Sequence, residues 1–542
     1  MRFSLRIFAV CFFGKRTHSK QRAIIRGSRK LKKNGNQNKI TDLKRVLSDT
    51  ALDIDSSKFS SFIMGDGISD KTKELCLRQY LLLRLGSLKL NGALLSQKSN
   101  KNRSVIFPLP KQWRGILEKN DFKVNNWCSV FCLYGYLIML LGYGVYRAAA
   151  IVFDSLINLK LNIQTPAPFV FFCNLSQGNL PKPKGGVQSY DILSWYINYS
   201  AKNGTVGTIK HDVRGVNRIS EQGISIESQA AGPIPNLPSL KSICIFSCWV
   251  FLSALISLFD LLRGRWWHAL IFHESVLAKK ARMTKSSDLA KEYFFHQVGQ
   301  TYRPLWSYCV EDRGCNISLY FYSINIESIN LDPTYFWRCM TWPKYIVWDS
   351  WQENFIRRCI GNQPDVEIEI AKTIWFDDSG DVKLPDDAAD IAIFDVAPHR
   401  EFNRCVYADE NEYVVPETCV KFIHDIRQCA EEEKLTCWYK AKRDIGKICH
   451  PTYRQSREKM LNSPNVCVLP SGMSPYYFIP ACSVVICLPF TAPAVIAREL
   501  GKPVCYYDPT GIIDENHPAA HGIKVIGNKN ALLSWVKDQL MC

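Results

Sequence analysis

The sequence predicts an α/β protein built from two Rossmann-like, doubly wound domains. Three observations carry this. Through the second half of the chain, short apolar runs rich in β-branched residues alternate with amphipathic helical stretches. One such repeat is complete in residues 483–509, SVVICLPFTAPAVIARELGKPVCYYDP. An acidic, turn-rich stretch at 375–390, WFDDSGDVKLPDDAAD, divides the pattern as an interdomain linker would.

The repeat at 483–509 opens with an apolar run, 484–488, suited to a buried parallel strand. Pro489 and Phe490 stop it, Thr491 offers a helix cap, and Pro493 fits only a first helical turn. Residues 494–500 read as helix closed by Gly501, and 504–507 as the next strand. A right-handed crossover makes the two strands parallel. The helix start then presents free N–H groups and the positive dipole end, an anion site or an ordinary βαβ turn.

Taken in order, the chain falls into four parts. Residues 1–57 are a basic segment expected to be disordered; Met1 to Arg45 holds fourteen Lys or Arg and one acid. Most of the net charge of +18 sits there, and no basic stripe interleaved with aromatics follows it, which argues against nucleic acid as partner. MRFSLRIFAV is too interrupted for a signal peptide. Asp53 and Asp55 imitate a metal-binding DxD but lie in polar linker. The 21 cysteines contain no CxxC pair and no zinc spacing, so reduced, buried thiols are expected, and no metal site.

Residues 58–164 form a helical region with an amphipathic helix at 75–90 and a hydrophobic helix at 128–146. Residues 165–380 form the first Rossmann-like domain, opening with the strand FVFFC at 169–173 and carrying a second hydrophobic helix at 242–259. Each apolar run is near the lower limit for crossing a bilayer, and a buried core helix is the alternative. If both crossed, residues 154–241 would lie opposite the rest of their own domain. At most one therefore spans, or both lie in the interface, where RGRWWHALIF at 263–272 would suit an interfacial helix. Strands follow at 317–322 and 345–348. Residues 381–542 form the second domain, with strands at 391–396, 436–440, 466–469, 484–488 and 504–507 and a helix at 416–433.

The residues LPFT (488–491), ARELGKP (497–503) and YYDP (506–509) resemble the bacterial polysaccharide-biosynthesis proteins named for a Pro-Phe-Thr-Ser motif. YRPLW (302–306), YFYSINIE (320–327), FDV (394–396), VPET (415–418) and KAKRDIGK (440–447) extend the resemblance. Ala492 stands where the family has Ser, so one hydroxyl that would bind phosphate is missing. The resemblance implies a glycosyltransferase of the two-Rossmann GT-B type. Its first domain would receive the acceptor and its second the sugar nucleotide.

Lys440, Lys442 and Arg443 follow a strand end, where a doubly wound sheet places its crevice. They form either a solvated basic turn or a diphosphate site, and the resemblance favours the latter. With the Thr491 helix end they would stabilise a departing nucleoside diphosphate without metal or other cofactor. Glu417, Asp508 and Thr510 are candidates for sugar or ribose hydroxyls. For the base that deprotonates the acceptor, the first domain offers Asp212, His273, Glu274 and His296. His273 and Glu274 rank first, because they follow the second hydrophobic helix, where a lipid-linked acceptor would present its sugar.

The expected function is a membrane-associated glycosyltransferase of cell-surface polysaccharide synthesis, on the cytoplasmic face of the bacterial inner membrane. Its partners would be a nucleotide-sugar donor, a saccharide or lipid-linked acceptor, and the membrane surface. A nucleotide-sugar epimerase of the same fold, or a noncatalytic assembly protein, remains as alternative.

Overall fold

The computed structural model describes residues 18–541 except 36–38, 50–57, 87, 101, 162–167, 176, 181–191, 204–206, 216–217, 222, 230, 297–301, 322–336, 362, 364, 375–383, 386–387, 408–412, 442–445 and 471–472. Two sheets organise it. The first contains β1 (Phe169–Cys173), β2 (Thr208–His211), β3 (Ile219–Glu221), β4 (Ile224–Ser228), β5 (Glu292–Phe295), β6 (Asn316–Tyr320), β7 (Lys344–Val347) and β8 (Glu367–Ile370), in the order β3-β4-β2-β1-β5-β6-β7-β8. The second contains β9 (Ala389–Asp395), β10 (Cys437–Ala441), β11 (Val466–Val468), β12 (Cys482–Cys487), β13 (Val504–Tyr507) and β14 (Lys524–Ile526), in the order β11-β10-β9-β12-β13-β14. Every described pairing is parallel except β3 with β4. These are two Rossmann-like doubly wound domains. The central strands are covered on both faces, which is why FVFFC and CSVVIC read as near-unbroken apolar runs.

The helices used below are α1 (His18–Lys33), α2 (Lys39–Asp49), α3 (Asp70–Arg84), α4 (Asn126–Leu161), α5 (Ile192–Asn203), α6 (Leu240–Leu262), α7 (Trp267–Met283), α8 (Ser350–Ile360), α9 (Glu401–Tyr407), α10 (Pro416–Glu432), α11 (Pro451–Leu461) and α12 (Ala492–Glu499). The expected disorder of residues 1–57 is corrected over α1 and α2. Ile24 and Leu31 of α1, and Leu43 and Leu47 of α2, are buried in the core of the first half. Gly27 lets α1 approach the helix Leu88–Ser99, since a Cβ there would run into the Leu95 carbonyl. Arg29 then pairs with Glu401 of α9, at 2.8–2.9 Å through two nitrogens, tying the basic helix to the second domain. Asp53 and Asp55 lie outside the described residues.

Helices α4, α6 and α7 pack together on one face of the first sheet. α7 is the central one, with thirteen of its seventeen residues buried, so the interfacial helix expected at 263–272 is instead the entry to a core helix. α4 and α6 lie outside it and keep one apolar stripe each in the open. Trp127, Phe131, Ile138, Tyr146, Phe153 and Ile157 are exposed on α4, and Ile245, Phe251, Leu252, Leu255, Phe259 and Leu262 on α6. Both helices are long and apolar enough to cross a membrane. Connectivity forbids a single crossing by either. β1 to β4 precede α6 and β5 to β8 follow it, yet β1 pairs with both β2 and β5 in one sheet. α3, before α4, packs Tyr80 against His273 of α7 and hydrogen-bonds through Gln79 to Thr341 beside β7. The chain on both sides of each helix thus sits in one body.

The two domains are clasped at one corner. Asp349 ends the turn after β7 and caps α8, accepting from the Gln352 amide at 2.9 Å. It also accepts from Arg498 of α12 at 2.8 Å and lies 2.8–2.9 Å from His521 Nδ1, before β14. Desolvation pushes the Asp349 carboxyl up, but His521, Arg498 and the Gln352 amide more than reverse this and hold it at about 2.

Candidate functional site

Sheet order selects the place to look. The second sheet runs in the doubly wound Rossmann order, so its strand direction of winding reverses between β9 and β12. The carboxyl ends of those two strands open a crevice. In the first sheet the corresponding point lies between β1 and β5.

At the β12 end, the turn from Leu488 to Thr491 is strained. Phe490 has φ +62°, a left-handed conformation that bulky side chains rarely adopt. Its ring is held 5.0 Å from His517 and 6.1 Å from Tyr506, which fixes the turn. Thr491 stands at the N-cap position of α12 with extended backbone, and Pro493 sits in the first turn, both as the sequence indicates. The hydroxyl behaves differently from expectation. Thr491 Oγ1 donates to the Leu488 carbonyl at 2.8 Å, makes no cap bond, and the residue is 2% exposed. A phosphate oxygen accepts and needs a donor, and this proton is already committed to the turn. Pro493 has no N–H and the Ala494 amide donates to the Thr491 carbonyl at 3.2 Å, so the Ala492 amide and the helix dipole, not the hydroxyl, are what the turn offers an anion.

At the β9 end lies a carboxylate to which the sequence alone gives no role. Asp395 is buried and accepts from Tyr439 of β10 at 2.9 Å and from Tyr453 of α11. Desolvation raises its carboxyl above the ordinary range, against the pull of the two tyrosines. A small cavity of about 50 Å³ adjoins this strand end, lined by Val396, Ala397, His399, Arg404 and Val414. Lys440, one residue along β10 from Tyr439, is buried, and desolvation lowers its ammonium to about 8. No carboxylate pairs with it among the described residues. Lys442 and Arg443 lie outside the described residues.

The remaining second-domain candidates divide. Glu417 is exposed in the first turn of α10, with its carboxylate at the positive end of that helix. Asp508 is fully buried and its carboxylate is spent. It accepts from Tyr413 OH at 2.7 Å, the Ile513 amide at 2.9 Å, and both the amide and the hydroxyl of Thr510, at 2.8 and 2.5 Å. Asp508 and Thr510 together fold the loop after β13, and the role in binding sugar hydroxyls is corrected to this structural one.

In the first domain the structure separates the four base candidates. His273 and Glu274 are buried within α7, not at a strand end. His273 Nε2 lies 2.9 Å from Tyr80 OH and 3.3 Å from Glu274 Oε1, while Arg147 Nη1 is 3.8 Å from the same carboxylate. Desolvation raises Glu274, but His273, Arg147 and Arg84 reverse it to about 2; burial holds His273 below its ordinary value. The pair belongs to a buried polar network joining α3, α4 and α7, in which His273 Nδ1 finds no hydrogen-bond partner among the described residues; its place inside the helix layer, away from the strand ends, is what sets it apart from the expected base. Asp212 and His296 stand elsewhere, just past the ends of β2 and β5 on either side of β1. Asp212 is open to solvent, and desolvation by the neighbouring strand ends lifts its carboxyl, opposed by its own amide and that of Asn174. His296 is buried, stacks on Tyr320 at 6.1 Å, and is pushed down to about 4 by burial.

Residues 250–536 match the family model described as polysaccharide biosynthesis PFTS motif protein. No curated protein matches the chain. Among solved structures, the UDP-GlcNAc 2-epimerase from Methanocaldococcus jannaschii is similar at 8% identity and TM-score 0.36, over 68% of this chain and 91% of the other. An Anabaena protein in complex with UDP and glucose is similar at 10% identity and TM-score 0.36, over 69% and 90%. The E. coli heptosyltransferase with ADP stands at 13% and 0.28, over 68% and 99%. Likenesses this distant carry no argument about substrate. The family match covers more than half of the chain, and the chain belongs to the polysaccharide biosynthesis PFTS motif proteins, with Ala492 after Pro489, Phe490 and Thr491 in the place of the motif's serine.

Proposed function

We propose that this protein is a glycosyltransferase that moves a sugar from a nucleotide-sugar donor to an acceptor hydroxyl during synthesis of a cell-surface polysaccharide. The observation that supports it most is the second switch point. There the Phe490 turn starts α12 at the end of β12, and Lys440, buried and without a carboxylate partner among the described residues, stands two strands away at the end of β10. A donor diphosphate would complete both, and Lys442 and Arg443 would add charge at the same strand end. As the bond from the anomeric carbon to the diphosphate breaks, its electron pair leaves with the nucleoside diphosphate, which these groups stabilise. The acceptor oxygen bonds to the same carbon and gives up its proton to Asp212. A carboxyl raised by desolvation is a better base than an ordinary one. Glu417 would contact donor hydroxyls.

The open apolar stripes of α4 and α6 support work at a membrane surface, lying in the interface and not crossing it. The cytoplasmic face is the side on which nucleotide sugars are held. The test is donor binding. Lys440→Met should weaken UDP, measured by calorimetry, at least tenfold, while Asp212→Asn should leave UDP affinity intact and abolish transfer. UDP affinity unchanged in Lys440→Met would remove the donor site from this crevice.

A further inference from the structure

One cavity stands outside everything assigned so far. It has a volume of about 410 Å³ and is lined by Asp154 and Asn158 of α4, Arg214 and Gly215 after β2, Ser228 at the end of β4, and Ala231 and Asn236 beyond it. It opens at the carboxyl edge of the first sheet, where an acceptor domain receives its ligand. The wall from 231 to 236, AGPIPN, contains two prolines and is held from behind. Lys280 of α7, fully buried, donates to the Ile234 carbonyl at 2.9 Å and lies 3.5 Å from the Ala231 carbonyl and from Asn236 Oδ1. Burial lowers its ammonium to about 7, against the charge of Asp154 in the cavity lining, which raises it. The Leu237 amide donates to Ser155 Oγ at 3.1 Å, fastening the same wall to α4.

The lining selects a ligand class. The Ser228 hydroxyl already donates to the Val213 carbonyl at 2.6 Å and Asn158 Nδ2 to the Asp154 carbonyl at 2.7 Å, so donors come from Arg214 and Asn236 and acceptors from Asp154, Asn158 and Ser228. No ion pair with another described residue occupies Asp154 or Arg214. A phosphate would be repelled by Asp154, whereas sugar hydroxyls donate and accept at once. The volume is at the small end of ligand sites and suits one or two sugar rings. Position adds the second argument. Asp154 and Asn158 alternate along α4 with Phe153, Leu156 and Ile157, which are exposed, and exposed Leu240 begins α6 beside the wall. The polar cavity therefore borders the apolar stripe directly.

We infer that this cavity binds the saccharide of the acceptor, presented from the lipid surface on which α4 and α6 lie. The inference rests on the transferase reading above and assigns its acceptor site. The test uses the full chain with phosphatidylglycerol-containing vesicles, alone or with monoglycosyl diacylglycerols bearing glucosyl, galactosyl or N-acetylglucosaminyl heads. The matching methyl glycosides serve as soluble probes, and UDP affinity is measured on every variant. At least one headgroup should raise vesicle binding about tenfold. Asp154→Asn, Arg214→Ala and Asn158→Trp, which fills the cavity from an open helix position, should each remove that gain while plain-vesicle and UDP binding persist. If soluble glycosides bind and the variants abolish this without any vesicle gain, the saccharide site stands and the lipid source is refuted. A headgroup gain that survives Asn158→Trp, or no sugar dependence at all, overturns the inference. Loss of UDP binding in the wild-type protein would instead defeat the transferase reading, which keeps the two failures apart.

Discussion

The clasp at Asp349 allows a worked prediction. Its carboxyl sits at about 2 against an ordinary 3.8, and its side chain is 13% exposed. The difference corresponds to about 2 kcal/mol of preference for the folded, charged state. Asp349→Asn keeps an oxygen for the Gln352 amide, since Asn caps helices as well as Asp does. It loses the pairing with Arg498 and His521, so it should cost about 2 kcal/mol. Asp349→Ala also loses the cap and should cost about 3 kcal/mol. Because the folded value is depressed, the contribution is complete above pH 4 and disappears as pH falls toward 2. The gap between wild type and Asp349→Asn should close over that interval. Urea unfolding followed by tryptophan fluorescence measures it, and a cycle with Arg498→Gln should give a coupling of about 1–2 kcal/mol. A coupling near zero, or a gap that stays constant from pH 6 to 2, would show that the corner does not join the domains.

Three further outcomes are expected. Gly144→Ala should destabilise by about 1–3 kcal/mol, because a Cβ there would lie 2.4 Å from the Phe272 ring and 3.1 Å from His273 Cα; an unchanged melting temperature would mean that α4 is not seated on α7 as described. Thr491→Val should cost about 1 kcal/mol through the stranded Leu488 carbonyl and leave UDP affinity unchanged; a tenfold loss of affinity at an unaltered melting temperature would return the hydroxyl to the donor site. Phe131→Ser combined with Phe251→Ser, at positions 76% and 64% exposed, should reduce vesicle flotation at least tenfold without loss of stability, and equal flotation would detach these stripes from the membrane.

The sheets were readable because parallel strands covered on both faces must be apolar throughout, and the runs at β1, β9 and β12 say so directly. The Pro489–Pro493 turn was readable because proline allows few backbones. Side-chain commitments were not. Thr491, Asp508 and Thr510 look available in sequence, and only the fold shows their protons and lone pairs already used. Asp395 needed the register of β9 against β10 to meet Tyr439, and the placement of α11 to meet Tyr453. Adjacency to an apolar helix does not imply exposure: His273 and Glu274 follow α6 in sequence yet are buried within α7. α1 was hidden by composition: its basic residues outnumber the few buried ones, Ala23, Ile24 and Leu31, that bind it to the core.

The insertion of α6 and α7 between β4 and β5 has a consequence for how the chain is made. β1 finds its partner β5 only after both helices have left the ribosome, since Val170 pairs with Glu292. Until then the most apolar helix of the protein emerges beside an unfinished sheet, in the form a membrane insertase recognises. Closure of β1 on β5 completes the sheet on which α6 and α7 are layered. Mutations that weaken the β1–β5 register should therefore surface as faults of topology before they surface as loss of stability.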